Sequence, residues 1–274
     1  MRKILIILCL VGCLFACRNS ASNSDTPRYV ILSPEVAEWV SALDGTSHIV
    51  GITAECDTPP SLRSLPQVGN FGAVSLEKVT ALKPTLVLTS SLEQQALADK
   101  LNKLGIRTEV FYPHSLNELY ISVSKLGTVL HQEARTRALL DSVQADIAGI
   151  GITKHPRVYV EIYNDPLMSA DSTSFIGDLI EHAGGVNVFP KLARDYCQVK
   201  AEAVVAANPE IIVITSPGIH KRDVLNRKGW ERISACTSGR IYTLDDVDPN
   251  LLLRAGPRVG TGVQTLHRLF NEGR

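Results

Sequence analysis

From residue 28 onward, short apolar runs alternate with segments in which apolar positions recur every three or four residues. Tyr29–Leu32 is a continuous apolar run and predicts a buried strand. Ser33 before Pro34 predicts a helix start, and Val36, Trp39, Val40 and Leu43 fall on one helical face that ends at Asp44-Gly45. His48–Ile52 predicts the next strand, and the Pro-rich stretch from Asp57 to Pro66 a loop. Ser75 caps a short helix, Leu86–Leu88 is a strand, Leu92–Leu104 a helix closed by Gly105, and Thr108–Phe111 a strand. From Leu116 to Ile147 there is no Pro, apolar residues recur at helical spacing and Gly127 is the only weak point, which predicts one helix roughly 45 Å long at 1.5 Å per residue. Val158–Ile162 is then a strand and Ser174–Ala183 a helix with Gly184-Gly185 at its end. Ile211–Ile214 and Arg240–Leu244 are strands, and Gly256–Phe270 the last helix. Strands alternating with helices predict parallel α/β sheets.

One unit of this pattern occurs twice. Ser75–Ser90 reads SLEKVTALKPTLVLTS and Lys200–Thr215 reads KAEAVVAANPEIIVIT, with Glu77/Glu202, Val79/Val204, Ala81/Ala206 and Pro84/Pro209 all at an offset of 202 − 77 = 125. Solenoid repeats are far shorter. The spacing predicts two similar lobes, each with an acidic residue in the first turn of a short helix, and a cleft between lobes is a natural ligand site.

The first residues read as a leader. Arg2 and Lys3 precede an apolar stretch, Ile4 to Ala16, that is too short to span a bilayer as an ordinary helix. Leu14-Phe15-Ala16-Cys17 has the form of a bacterial lipobox, so residues 1–16 are read as a lipoprotein signal peptide, Cys17 as the lipidated residue and 17–27 as a flexible tether. A plain secretory signal is the alternative. Three Cys then remain, Cys56, Cys197 and Cys236, too few for a disulfide framework and without CxxC spacing. The whole chain has 28 basic and 28 acidic residues and no basic stripe, which argues against nucleic acid as a partner. Its seven His are scattered without a helical i, i+4 pair, so a resident metal is not expected. There is no GxSxG elbow, phosphate loop or HExxH, so the chain is not read as an enzyme and no cofactor is assigned.

The residues Val68-Gly69-Asn70, Ser75-Leu76-Glu77 and Ala81-Leu82-Lys83-Pro84-Thr85-Leu86-Val87-Leu88 resemble the periplasmic binding proteins of ABC importers for cobalamin, ferric siderophores and haem. So do Ile31–Glu35, Glu202 with Asn208-Pro209, and Arg254–Arg258 before the last helix. The resemblance implies an α/β fold of two Rossmann-like lobes with mostly parallel sheets, 28–114 and 151–274, joined by one long α-helix within 115–150, with the ligand cleft between lobes. It implies a monomeric solute-binding lipoprotein of the periplasm or cell envelope, anchored to a membrane by its lipid. The cargo is a large metal chelate, cobalamin or another corrinoid or a ferric siderophore, with haem as the alternative. A lobe pair that has lost its cargo and serves a sensory role is a further alternative.

Glu77 and Glu202 are, by the same resemblance, the residues that dock onto Arg residues of the permease. Read from the residues alone, each carboxylate is equally explained by the positive end of its helix macrodipole. Alignment to the motifs implies Glu55, Phe71 and Cys56 on one side of the cleft and Tyr163, Met168 and Tyr196 on the other, with Arg254 from the loop before the last helix. Cobalamin binders of this family tend to carry an aromatic residue at the Glu55 position and Trp at the Phe71 position. Phe71 and Tyr196 offer faces for stacking, or are core aromatics. Arg254 either meets an anionic ligand group or covers a helix end. Tyr163 or Tyr196 is a candidate haem-iron ligand. A Cys56–Cys197 disulfide would lock the lobes and is not expected.

Overall fold

The computed structural model describes residues 26–90 and 94–272. Cys17, the leader 1–16 and nearly all of the tether lie outside the described residues, as do Leu92 and Glu93 at the start of the helix predicted from Leu92. The first half runs β1 (Tyr29–Ile31), α1 (Pro34–Ala42), β2 (Ile49–Thr53), β3 (Gln67–Asn70), β4 (Ala73–Val74), α2 (Leu76–Ala81), β5 (Leu86–Thr89), α3 (Gln95–Lys103) and β6 (Thr108–Val110). Its strands form one sheet in the order β4-β3-β2-β1-β5-β6, parallel except for the β3–β4 hairpin at the edge.

Two helices follow, α4 (Leu116–Val129) and α5 (Glu133–Ala148). The single helix predicted over this stretch is therefore interrupted. His131 takes a left-handed φ of 56°, its N–H bonds the Thr128 carbonyl, and the Gln132 N–H bonds the Gly127 carbonyl at 2.8 Å. That pair of bonds is a Schellman stop, which satisfies the last carbonyls of α4 and reverses the chain. Gly127 permits the reversal, because a Cβ there would meet the Thr136 Oγ1 at 2.1 Å. The usual Gly signal sits four residues before the left-handed position instead of at it.

The second half contains β7 (Arg157–Asn164), β8 (Leu167–Ala170), α6 (Phe175–His182), β9 (Val186–Asn187), β10 (Tyr196–Gln198), α7 (Ala201–Ala207) and β11 (Ile211–Ile214). It closes with α8 (Lys221–Leu225), α9 (Ser234–Ser238), β12 (Ile241–Tyr242), α10 (Asn250–Leu253) and α11 (Val259–Asn271). Its sheet follows the order β10-β8-β7-β11-β12, with β9 also paired to β7. In this sheet β7 pairs in parallel with β11 and β9, and β11 with β12, while β8 pairs antiparallel with β7 and β10. A two-residue connection, Asp165-Pro166, turns β7 straight back into β8, and so short a link joins only antiparallel strands. Strand β10 then adds to β8 in the antiparallel sense.

The alternation of side chains along each strand distributes the core. Val30 and Val87 pack with Val79 and Leu101 on the outer face of the first sheet. Tyr159, Ile212 and Ile214 pack with Val204 and Trp230 on the outer face of the second. The intervening positions, Tyr29, Ile31, Leu86 and Leu88 in the first sheet and Val158, Val160, Ile211 and Val213 in the second, belong to one continuous cluster with α1, α4, α6 and α11. The two halves thus own an outer core each and share an inner one.

The repeat is visible in backbone detail. Lys83 and Asn208, 208 − 83 = 125 residues apart, both hold left-handed φ values, 47° and 44°, just before the repeated Pro. Arg28 donates through Nε and Nη2 to the Leu82 carbonyl at the end of α2, and Arg157 does the same to the Asn208 carbonyl at the end of α7. Val79 and Val204, the matched apolar positions, are both fully buried, whereas Glu77 and Glu202 are both exposed in the first turns of their helices.

Helix ends follow the predicted chemistry with one exception. Gly105 and Gly184 are left-handed stops, and Ser75 caps α2 by accepting from the Lys78 N–H at 3.2 Å. Ser33 has the extended backbone of a cap residue, but its hydroxyl makes no capping bond. Pro34 at the first helical position already needs no N–H partner there.

Candidate functional site

A cleft of about 460 Å³ opens between the halves. Its floor and first wall come from the carboxyl ends of the parallel strands: Pro34 and Glu35 after β1, Glu55 after β2, Ser90 after β5, and Phe111 to His114 after β6. This is where parallel α/β sheets place ligands, because successive loops diverge there and leave space. The opposite wall is Phe175, Tyr196 and the segment Leu253–Ala255.

Four of the residues predicted to bind ligand meet in this cleft: Glu55, Phe71, Tyr196 and Arg254. Phe71 sits at the tip of the β3–β4 hairpin, on the first-half side. Gly69 makes the hairpin possible, since its φ is 145° and a Cβ would lie 2.2 Å from the Ala73 carbonyl oxygen. The Phe71 N–H donates to the Glu55 carboxylate at 3.0 Å, which ties the tip to the loop after β2. Phe71 is 37 % exposed and lines the cleft. The Tyr196 hydroxyl is held by Ser174 and the Ile176 backbone, and burial pushes its phenol well above its ordinary range, with the neighbouring Tyr112 adding to the shift.

Tyr163 and Met168 are not brought to the cleft, which corrects the sequence expectation. They face each other across the β7–β8 pairing next to the tight turn, with Tyr163 52 % exposed. Reversal at Asp165-Pro166 carries both residues along the hairpin instead of ending β7 at the cleft. Cys56 is also turned away. It is buried, its thiol meets Thr53 Oγ1 at 3.4 Å, and burial pushes it up to about 11. Cys56, Cys197 and Cys236 are all free thiols.

Arg254 lines the cleft, but its charge is committed elsewhere. Its Nη1 donates to Glu38 Oε1 at 3.0 Å and to Asp57 Oδ1 at 3.3 Å. Glu38 is buried, and its other oxygen accepts from Arg258 Nε at 3.4 Å, while Arg258 also reaches Asp248. Two guanidiniums therefore serve three carboxylates. The adjacent Trp39 indole donates to the Ala255 carbonyl at 2.8 Å. Together these contacts pin α1 of the first half to the loop that leads into α11. Burial alone would raise the Asp57 carboxyl; the hydrogen bond and charge of Arg254 outweigh it and hold the group below its usual range.

Several cleft residues are absent from the sequence prediction: Glu35, Tyr112, His114 and Phe175. The signal for the first three was position, since each follows the end of a predicted strand by a few residues. His114 is also a bridge. Its Nδ1 lies 3.1 Å from Glu118 Oε2, and its Nε2 lies 3.2 Å from Asp195 Oδ2 in the second half. Both ring nitrogens are thereby engaged with carboxylates.

Residues 30–247 match the sequence profile of the family described as periplasmic binding protein. An uncharacterized ABC transporter substrate-binding lipoprotein, YvrC of Bacillus subtilis, is 30% identical over 266 residues, covering 90% of this chain and 83% of its own. The high-affinity heme uptake system protein IsdE of Staphylococcus aureus is 26% identical over 259 residues, covering 88% of each chain. Among solved structures, the vitamin B12 binding protein BtuF of Vibrio cholerae superposes with a TM-score of 0.73 at 21% identity, covering 89% of this chain and 96% of its own, a likeness of fold.

Proposed function

The chain belongs to the periplasmic binding protein family, and from that premise we propose that it is the extracytoplasmic substrate-binding lipoprotein of an ABC importer for a metal chelate. The cargo is a corrinoid such as cobalamin, or a ferric siderophore. It arrives with its metal already chelated, so the protein needs no cofactor and turns nothing over. Cys17 carries the lipid that holds a monomeric chain at the membrane surface. Glu77 and Glu202, exposed at matched points of the repeat, present the two carboxylates that dock on the permease.

The observation that carries this reading is the cleft itself: a cavity of about 460 Å³ between two sheets, walled by Phe71 and Tyr196. The exposed Phe71 face offers a flat chelate a surface to stack on. Haem is the second reading, favoured by the similarity to IsdE. Against it, His114 is engaged through both nitrogens, and the Tyr196 phenolate that would ligate iron is disfavoured by burial.

Thermal melts against cyanocobalamin, a ferric hydroxamate and haemin test the proposal. Ligand at about 100 times its Kd stabilises a one-site binder by about 2.7 kcal/mol. A clear rise in Tm with one of the three, without chemical change in the ligand, is expected. No shift with any of them contradicts the reading.

A further inference from the structure

Among the charged residues that line the cleft, Glu35 and Glu55 stand apart. Both are half-buried on the first-half wall, and among the described residues neither forms an ion pair. Glu55 accepts one backbone N–H, which leaves its second oxygen open. The Arg254 guanidinium also touches the Glu55 backbone carbonyl at 3.5 Å, but its ion pairs are with Glu38 and Asp57 and neither Glu35 nor Glu55 shares them. The remaining ionisable cation candidate, His114, is held between Glu118 and Asp195. The cleft thus presents open acceptors and a negative field, and no uncommitted cationic donor among the described residues.

Such a wall discriminates between chelates by the chemistry of their rims. A carboxylate approaching Glu35 and Glu55 meets like charge in a confined, partly dehydrated space, where repulsion is stronger than in bulk water. Haem, with its propionates, and anionic catecholate chelates fall in this class. A chelate rimmed with primary amides brings N–H donors to the same oxygens, and a net positive charge adds attraction. Resting on the function proposed above, we infer that Glu35 and Glu55 are the specificity-determining residues of the cleft and select a neutral or cationic, amide-rimmed chelate, the corrinoid class, against carboxylate-bearing ones. The preference is electrostatic, so it weakens as salt rises.

The test is a set of equilibrium titrations of the mature protein with three probes of different charge. These are aquacobalamin kept cationic at mildly acidic pH, neutral cyanocobalamin, and haemin. Each is repeated with E35Q, E55Q and the double variant, whose folding is verified by circular dichroism and melting. Gln keeps the oxygen that accepts from Phe71, so the hairpin tip is retained. Wild type is expected to bind both cobalamins more tightly than haemin. The double variant is expected to lose about tenfold in affinity for aquacobalamin, to change little for cyanocobalamin and to gain about tenfold for haemin. If wild type binds haemin at least as tightly as the cobalamins, or if the substitutions shift all three probes equally, the inference is wrong while the proposed function stands. If wild type binds none of the probes and no ferric hydroxamate, the proposed function falls and takes the inference with it.

Discussion

Arg254 and Glu38 are separated by 216 residues in sequence and meet at 3.0 Å, joining the loop before the last helix to the first helix of the chain. Glu38 is 5 % exposed and depends on Arg254 and Arg258 for its hydrogen bonds. Both halves also share an inner apolar cluster, so this pin and that cluster hold them together.

Replacing Arg254 with Met is expected to destabilise the protein by about 3 kcal/mol. That is the low end for orphaning a buried charge, since Arg258 remains beside Glu38. Urea unfolding of wild type and variant measures it. The pH dependence carries a second signature. The folded Asp57 carboxyl lies below its ordinary 3.8, so its contribution is present above that pH and is lost as pH falls through the depressed value. The acid limb of the stability curve is expected to be less steep in the variant.

Glu161 and Arg227 form the other buried pair. Glu161 is fully buried, and both its oxygens accept from the guanidinium, at 2.5 and 2.7 Å, while Arg227 stacks over Trp230 at 4.6 Å. Lys offers one point charge and no planar fork. Arg227→Lys is therefore expected to lose about 3 kcal/mol in chemical denaturation, nearly as much as Arg227→Met.

His131 holds a left-handed backbone at the stop between α4 and α5 and is exposed. A non-glycine residue in that conformation costs about 1 kcal/mol. His131→Gly is expected to raise stability by about that amount or slightly less, the remainder being lost to chain entropy. A helix continuous through this point would instead be weakened by the same change.

Cys56 is buried and its thiol is pushed up to about 11, so the thiolate is scarce at neutral pH. A thiol reagent added to the folded protein is expected to spare Cys56 and react first at Cys197, which is partly exposed. Peptide mapping after brief labelling distinguishes the two.

How legible this was in the sequence depended on the kind of signal. Glu77 and Glu202 with their buried valines could be read from a repeat, because duplicated packing preserves both the apolar contact and the left-handed residue before Pro. Gly105 and Gly184 announced their helix ends by residue type. His131 gave no such notice, since only the fold forces a His into that conformation. Tyr163 and Met168 lie away from the cleft because the chain reverses at Asp165-Pro166, and one such reversal relocates every residue near it. Glu35 and His114 are illegible for a different reason: they carry no motif, and only convergence of strand ends brings them to one cleft.

The most direct measurement is a fluorescence titration of the mature protein with cyanocobalamin, run beside Phe71→Ala and Tyr196→Ala. Saturable binding of one ligand per chain, weakened about tenfold by loss of the Phe71 face, is the predicted result. Binding as strong as that of wild type in both variants would contradict the placement of cargo in the cleft, and the account built on it.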